Sequence, residues 1–158
     1  MFRELTRKKQ QLSQEECVKL LREEKRGVLS VNGDDGYPYG IPMNFWYDEK
    51  SGHICFHGSR KGHKIDSIKA DNKVSFCVHD RGYIREGEWA YNVSSVVAFG
   101  RIKIVEDYER AMTICREIGH KYTTDNEYTE KEIVVSGPNV CCLEIIPEHI
   151  TGKLVNES

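Results

Sequence analysis

The densest concentration of chemistry in the sequence is the stretch Gly58-Ser-Arg-Lys-Gly-His-Lys64. Arg60, Lys61 and Lys64 supply fixed positive charge, Ser59 a hydroxyl, and two glycines permit close backbone approach. The stretch leads from a strand-like run into a short helix, whose first N–H groups and positive dipole end suit an anion. A terminal phosphate is the natural occupant. A solvated basic turn is the competing reading.

A second constellation is Gly36-Tyr-Pro-Tyr-Gly-Ile-Pro-Met-Asn-Phe45. Two prolines within one strand exclude a central position with a full ladder of hydrogen bonds. They leave an edge or bulged strand whose free backbone groups can meet something planar and polar, and an isoalloxazine ring fits that description. The alternative is a plain edge strand that proline protects against aggregation.

The histidines form a third group. His53, Cys55 and His57 alternate onto one strand face, a pattern that raises the question of a metal. Two histidines and one thiol do not complete a site, and no carboxylate is spaced to finish it, so no metal is expected. His57 borders the candidate phosphate loop and is the better candidate for a proton donor, because imidazole titrates near neutrality. His63 is either a phosphate ligand or a surface residue.

These segments need a scaffold. Ser13-Gln-Glu-Glu16 is a capping box that opens a helix carrying Cys17, Val18, Leu20 and Leu21, with Gly27 as its stop. Val28–Val31 reads as a strand, 32–36 as a turn, and 37–47 as the returning strand. A turn at 48–52 and a strand over 53–57 follow, then a short helix over 62–70 and a strand over 74–79. The run 93–105 is long and β-rich, with Gly100 marking a bulge or bend. Ala111, Met112, Cys115 and Ile118 predict a helix over 108–122. Residues 140–146 close the sheet, and 150–155 add an edge strand. The stretches 80–92 and 123–138 read as irregular functional loops. Tight turns imply antiparallel pairing, so the fold class is mainly β, a barrel with flanking helices.

The 158 residues fit a single domain spanning 1–158. At 39% hydrophobic and 30% charged the chain is an ordinary globular protein, and a net charge of −2 gives no pull toward nucleic acid or an anionic membrane. No apolar run approaches a membrane span, and the charged N-terminus is unlike a secretion signal. A cytoplasmic location is expected. The six cysteines form no CxxC pair and read as buried free thiols, with Cys141 and Cys142 on opposite faces of one strand. GxGxxG, Walker, HExxH and GxSxG motifs are missing, which disfavours a Rossmann domain, an ATPase, a zinc protease and an α/β-hydrolase.

Taken together, Gly36–Phe45, then Ile54-Cys-Phe-His-Gly-Ser with Gly62-His-Lys, then Ser95-Val-Val-Ala-Phe-Gly100, and finally Ile150-Thr-Gly-Lys153 resemble the pyridoxamine 5′-phosphate oxidase-like FMN-binding split barrels. Within them the chain is similar to the nitroimidazole-resistance (Nim) family. The resemblance implies a six-stranded antiparallel split β-barrel that forms a homodimer with FMN at the subunit interface. Ile41, Pro42, Met43 and Asn44 would then line the flavin ring, with His57, Gly58 and Ser59 beside it. His63 and Lys64 would grip the phosphate, Ser95 would be a small polar contact from a facing strand, and His57 would be the catalytic candidate. The function implied is FMN-dependent reduction of small nitro-organic compounds such as 5-nitroimidazoles. The alternatives are a flavin-binding or flavin-storage module without turnover and a haem-binding split barrel. The chain ends soon after Lys153, without the additional arginines that hold the vitamin substrate in pyridoxamine-phosphate oxidases.

Overall fold

Eight strands make one antiparallel sheet in the computed structural model, which describes residues 1–156. They are β1 (Arg26–Asn32), β2 (Pro38–Asn44), β3 (Trp46–Asp48), β4 (His53–Gly58), β5 (Lys73–His79), β6 (Tyr83–Ile84), β7 (Tyr91–Ile104) and β8 (Cys141–Asn156). The helices are α1 (Gln14–Glu23), α2 (His63–Ala70), α3 (Tyr108–Tyr122) and α4 (Asn126–Ser136). The strand order is β2-β1-β5-β7-β8-β4-β3, with β6 paired to β7 off that path. Only Phe45 separates β2 from β3, yet β2 pairs with β1 and β3 with β4. One broken strand therefore serves both ends of the sheet, and the sheet curls into a split barrel. Counted with that strand as one, the barrel has the expected six staves, and β6 is a two-residue addition.

Alternation explains the core. Leu29 and Val31 on β1, Val74, Phe76 and Val78 on β5, and Val96 and Ala98 on β7 all point inward and are buried. Phe76 takes edge-on contacts from Phe45 at 4.9 Å and Phe56 at 5.1 Å between ring centroids. Such pairs add about 0.5–1.5 kcal/mol each beyond the area they bury. Both prolines of β2, Pro38 and Pro42, lie on a strand with a neighbour on one side only, as their missing donors require.

The capping box forms: the Ser13 N–H donates to Glu16 Oε2 at 2.7 Å and the Glu16 N–H to Ser13 Oγ at 3.1 Å. Cys17, Leu20 and Leu21 are the buried face of α1. Three expectations need correction. Gly27 does not stop α1, which ends at Glu23; it lies in β1, where a Cβ would stand 2.3 Å from the Phe76 ring. Close packing of that ring, not helix termination, is what requires glycine there.

Residues 150–155 are not a separate edge strand but the second half of β8, paired with β7 throughout. Pro147 suggests a break, but the register shifts at Phe99/Gly100, so the ladder passes from His149 to Pro147 and Glu148 is bulged out. The expected irregular stretch 123–138 contains α4, capped by Asp125, whose side chain accepts the Tyr128 N–H at 2.9 Å. Thr129 is its single buried residue among those described, so it carries no apolar stripe for sequence periodicity to find. The stretch 80–92 holds β6 and the start of β7; Trp89 is exposed, while Ala90 and Asn92 are buried.

Candidate functional site

The end of β4 and the start of α2 bring the basic loop against β2. Gly62 has φ of +125°, a conformation in which a side chain would be strained, and this turn lets α2 begin at His63. From the second position of α2, the Lys64 ammonium reaches to 3.8 Å from the Met43 thioether and lies close over Gly58. No carboxylate neutralises it; burial pulls its pKa below the ordinary lysine range, and the nearby Cys141 opposes this. Arg60 and Lys61 are exposed beside it, and Ser59 Oγ accepts the Lys61 N–H at 3.3 Å. A half-buried, unneutralised ammonium at a helix start is a site prepared for an anion.

His57 lies on β4 opposite Cys142 of β8. Desolvation by its surroundings, and then the Lys64 charge, push its pKa below the usual histidine value. His57 and Asn44 open onto a cavity of about 470 Å³ between the barrel wall and the helices α3 and α4. Cys115, Ile118 and Tyr122 of α3, Thr129 and Ile133 of α4, and Val140 line it. Tyr122 holds the β2–β3 break: its hydroxyl accepts the Phe45 N–H at 3.1 Å and donates to the Lys25 carbonyl. The cavity surface is mostly apolar, with polar groups both on the barrel side, Asn44 and His57, and on α4, Thr129, Glu132 and Ser136.

Of the residues singled out from sequence, Met43, Asn44, His57, Gly58 and Lys64 converge here, with Ser59 on the adjoining loop. Alternation along β2 turns Ile41 and Met43 toward the core and leaves Pro42 and Asn44 exposed. Ile41 therefore offers a ligand outside the barrel its backbone, not its side chain. His63 is engaged elsewhere: its ring stacks on Tyr39 at 4.2 Å, and Nε2 lies 3.6 Å from the Asp34 carboxylate. Ser95 pairs with His79 and Lys153, three strands from β2 across the sheet, roughly 14 Å at normal strand spacing. Within one chain it does not meet the other site residues.

His53, Cys55 and His57 share the face that α3 covers, but they do different things. Glu144, 3% exposed, accepts from His53 Nδ1 at 2.9 Å and from Arg110 of α3 at 2.5 and 3.0 Å. Arg110 also reaches Asp48 at 2.9 Å. Burial alone would raise the Glu144 pKa, but the His53 and Arg110 hydrogen bonds prevail and hold it low. Burial and Glu144 push the Cys55 thiol up to about 12, so it is inert. This network clamps α3 to the barrel and so fixes one wall of the cavity. Sequence reasoning missed it. The signal was Glu144 itself, a carboxylate inside the apolar run 141–146, which a strand buries only with partners.

Among the described residues no three metal-ligating side chains converge, and no helix is long and apolar enough to cross a membrane. The chain gives no match among curated proteins. Several solved structures share its fold. A candidate 5-nitroimidazole antibiotic resistance protein from Bacteroides thetaiotaomicron VPI-5482 is 19% identical with a TM-score of 0.77, over 92% of this chain and 87% of that one. A FAD-binding protein from Mesorhizobium loti is 26% identical with a TM-score of 0.64, over 92% and 96%. A FAD-binding protein from Mycobacterium smegmatis is 19% identical with a TM-score of 0.61, over 92% and 98%. The sequence model of the pyridoxamine 5′-phosphate oxidase family matches residues 13–154, nearly the whole barrel and its helices. With that match added to the curled antiparallel sheet and the basic turn into α2, the chain belongs to the pyridoxamine 5′-phosphate oxidase family.

Proposed function

We propose that the chain is an FMN-dependent oxidoreductase that reduces small nitro-organic compounds, 5-nitroimidazoles among them. The observation that carries this reading is the Lys64 ammonium, half-buried without a carboxylate and set beside the exposed end of β2 and the cavity that His57 and Asn44 open onto. A phosphate fits that ammonium and the start of α2, and the β2 edge at Pro42–Asn44 leaves a planar, polar ring room beside it. Family membership and the FAD-binding neighbours described above support a flavin cofactor.

The bound flavin would supply the electrons; the protein's part is to bind, orient and deliver protons. Lys64 holds the phosphate end. His57, whose imidazolium is disfavoured, donates a ring N–H toward the reacting end. The apolar helical wall, Ile118, Ile133 and Val140, excludes water from a flat organic substrate.

A second copy of the chain completes the site in this reading. Pro42, Val28, Cys77, Val97 and Thr151 form one transverse row across five strands on the outer face, all uncharged and all at least partly exposed. Such a face suits self-association, and a partner would bring its Ser95 toward the flavin. The test is an absorbance spectrum of the purified protein with added FMN, followed by gel filtration and anaerobic assay with a nitroimidazole. Flavin bands co-eluting at twice the chain mass, with consumption of the nitro compound, are expected. A colourless protein that ignores FMN overturns the reading.

A further inference from the structure

The helical wall of the cavity carries a feature that flavin chemistry does not use. Cys115 of α3 and Cys142 of β8 bring their sulfurs to 3.6 Å, both as free thiols. They are not equivalent. Cys115 is partly exposed and lines the cavity, so a small solute reaches it. Cys142 is 1% exposed, with its thiol also directed at the Ala111 carbonyl 3.4 Å away. One accessible sulfur backed by one buried sulfur is the arrangement of an attacking and a resolving thiol.

We propose that Cys115 and Cys142 are a peroxide-oxidisable dithiol whose disulfide turns the segment between them into a covalently closed cavity wall. The Cys115 thiol loses its proton, its thiolate attacks one oxygen of hydrogen peroxide, the O–O bond breaks, and Cys115 becomes a sulfenic acid as the leaving hydroxide takes up the released proton to form water. The Cys142 sulfur then attacks the Cys115 sulfur and the S–O bond breaks. The departing hydroxide leaves as water with the Cys142 proton. Two thiols and one peroxide give one disulfide and two waters. The contact with Cys142 lowers the Cys115 pKa, which burial opposes and Arg116 assists, so of the two sulfurs the accessible one ionises more readily.

The two positions are 27 residues apart, and the loop they would close contains the end of α3, all of α4 and Val140. These elements form most of the cavity's non-barrel side. Besides packing, the loop is held to the barrel by the Tyr122 hydroxyl on Phe45 and Lys25 and by the Lys25 ammonium on the Lys121 carbonyl, and a covalent tie adds to these in limiting how far that wall can open. The inference concerns this chain's own thiols and stands whether or not a flavin binds.

The experiment uses the full chain, reduced, desalted and treated with a few equivalents of hydrogen peroxide, then alkylated in denaturant and digested with trypsin. Two of the six thiols should disappear, with peptide 111–116 cross-linked to peptide 132–153 and released by dithiothreitol. Because 132–153 contains both Cys141 and Cys142, Cys142→Ser should abolish the link and Cys141→Ser should leave it. Fragment ions that separate the two positions in the wild-type peptide decide the point if the Cys142 variant fails to fold. The oxidised wild-type protein should melt roughly 5–10 °C above the reduced form, as a loop of this length predicts. Six thiols surviving, Cys115 ending as sulfinic acid without a cross-link, or a link through Cys55 or Cys141 would each overturn the proposal.

Discussion

The Lys64 ammonium sits 3.8 Å from the Met43 thioether, and a side chain at position 58 would begin only 3.3 Å from it. A thioether is a weak acceptor that cannot balance a charge, so the protein holds this cation desolvated without neutralising it. Replacing it with Met keeps the stem and removes the charge. Lys64→Met should weaken FMN about 10- to 100-fold, the value of one charge-assisted contact. Riboflavin, which has no phosphate, should bind the variant as it binds the parent. Flavin fluorescence titrations with both ligands check this, and an equal loss for the two would place the phosphate away from Lys64.

His57 should titrate below 6.5, because burial first and the Lys64 charge second disfavour its imidazolium. The unfolded chain then takes up this proton before the folded one does. The stability due to a neutral His57 is therefore complete above the unfolded value and is lost as pH falls through the folded value. In Lys64→Met the midpoint should rise yet stay below 6.5, since the larger cause remains. Histidine-selective NMR titration of both proteins measures it. A midpoint unchanged by the substitution would show that Lys64 and His57 do not sense one another, and that the two halves of the proposed site are independent.

What the sequence made legible was local. The capping box of α1, the prolines that keep β2 at an edge and the alternation of β1, β5 and β7 are each decided within a few residues. Gly58, His57 and Lys64 were legible for the same reason, since eight consecutive positions in the sequence hold them together. Pairings set by register were not. Arg110, Glu144 and Asp48 meet because α3 lies across β8 and β3, and Cys115 faces Cys142 for the same reason. The helix α4 escaped because Val134 and Val135 are exposed and Thr129 is the residue it buries. Ser95 is the converse case, a residue that the resemblance assigned to an interface site and that one chain alone leaves three strands from β2.

Lys121 offers a test of the electrostatics behind the cavity wall. Its ammonium is buried without a hydrogen-bond partner and lies 3.6 Å from the centre of the Phe45 ring. Burial, followed by repulsion from Lys25, brings its pKa from 10.5 down to about 8. Discounted for the partial exposure of the side chain, a depression of that size corresponds to roughly 2–3 kcal/mol of lost stability at pH 7, of which the ring returns about 1 through its negative face. Lys121→Met keeps the packing on Phe45 and removes the ion, so it should stabilise the fold by about 1–2 kcal/mol at pH 7. The sign with pH follows from the depressed value: the penalty is full below pH 8 and is relieved as pH rises toward 10.5. The advantage of the variant in urea unfolding should therefore shrink between pH 7 and pH 9.5. A variant that is less stable than the parent at pH 7 would mean that the ring contact outweighs the desolvation, and that Lys121 anchors α3 instead of straining it.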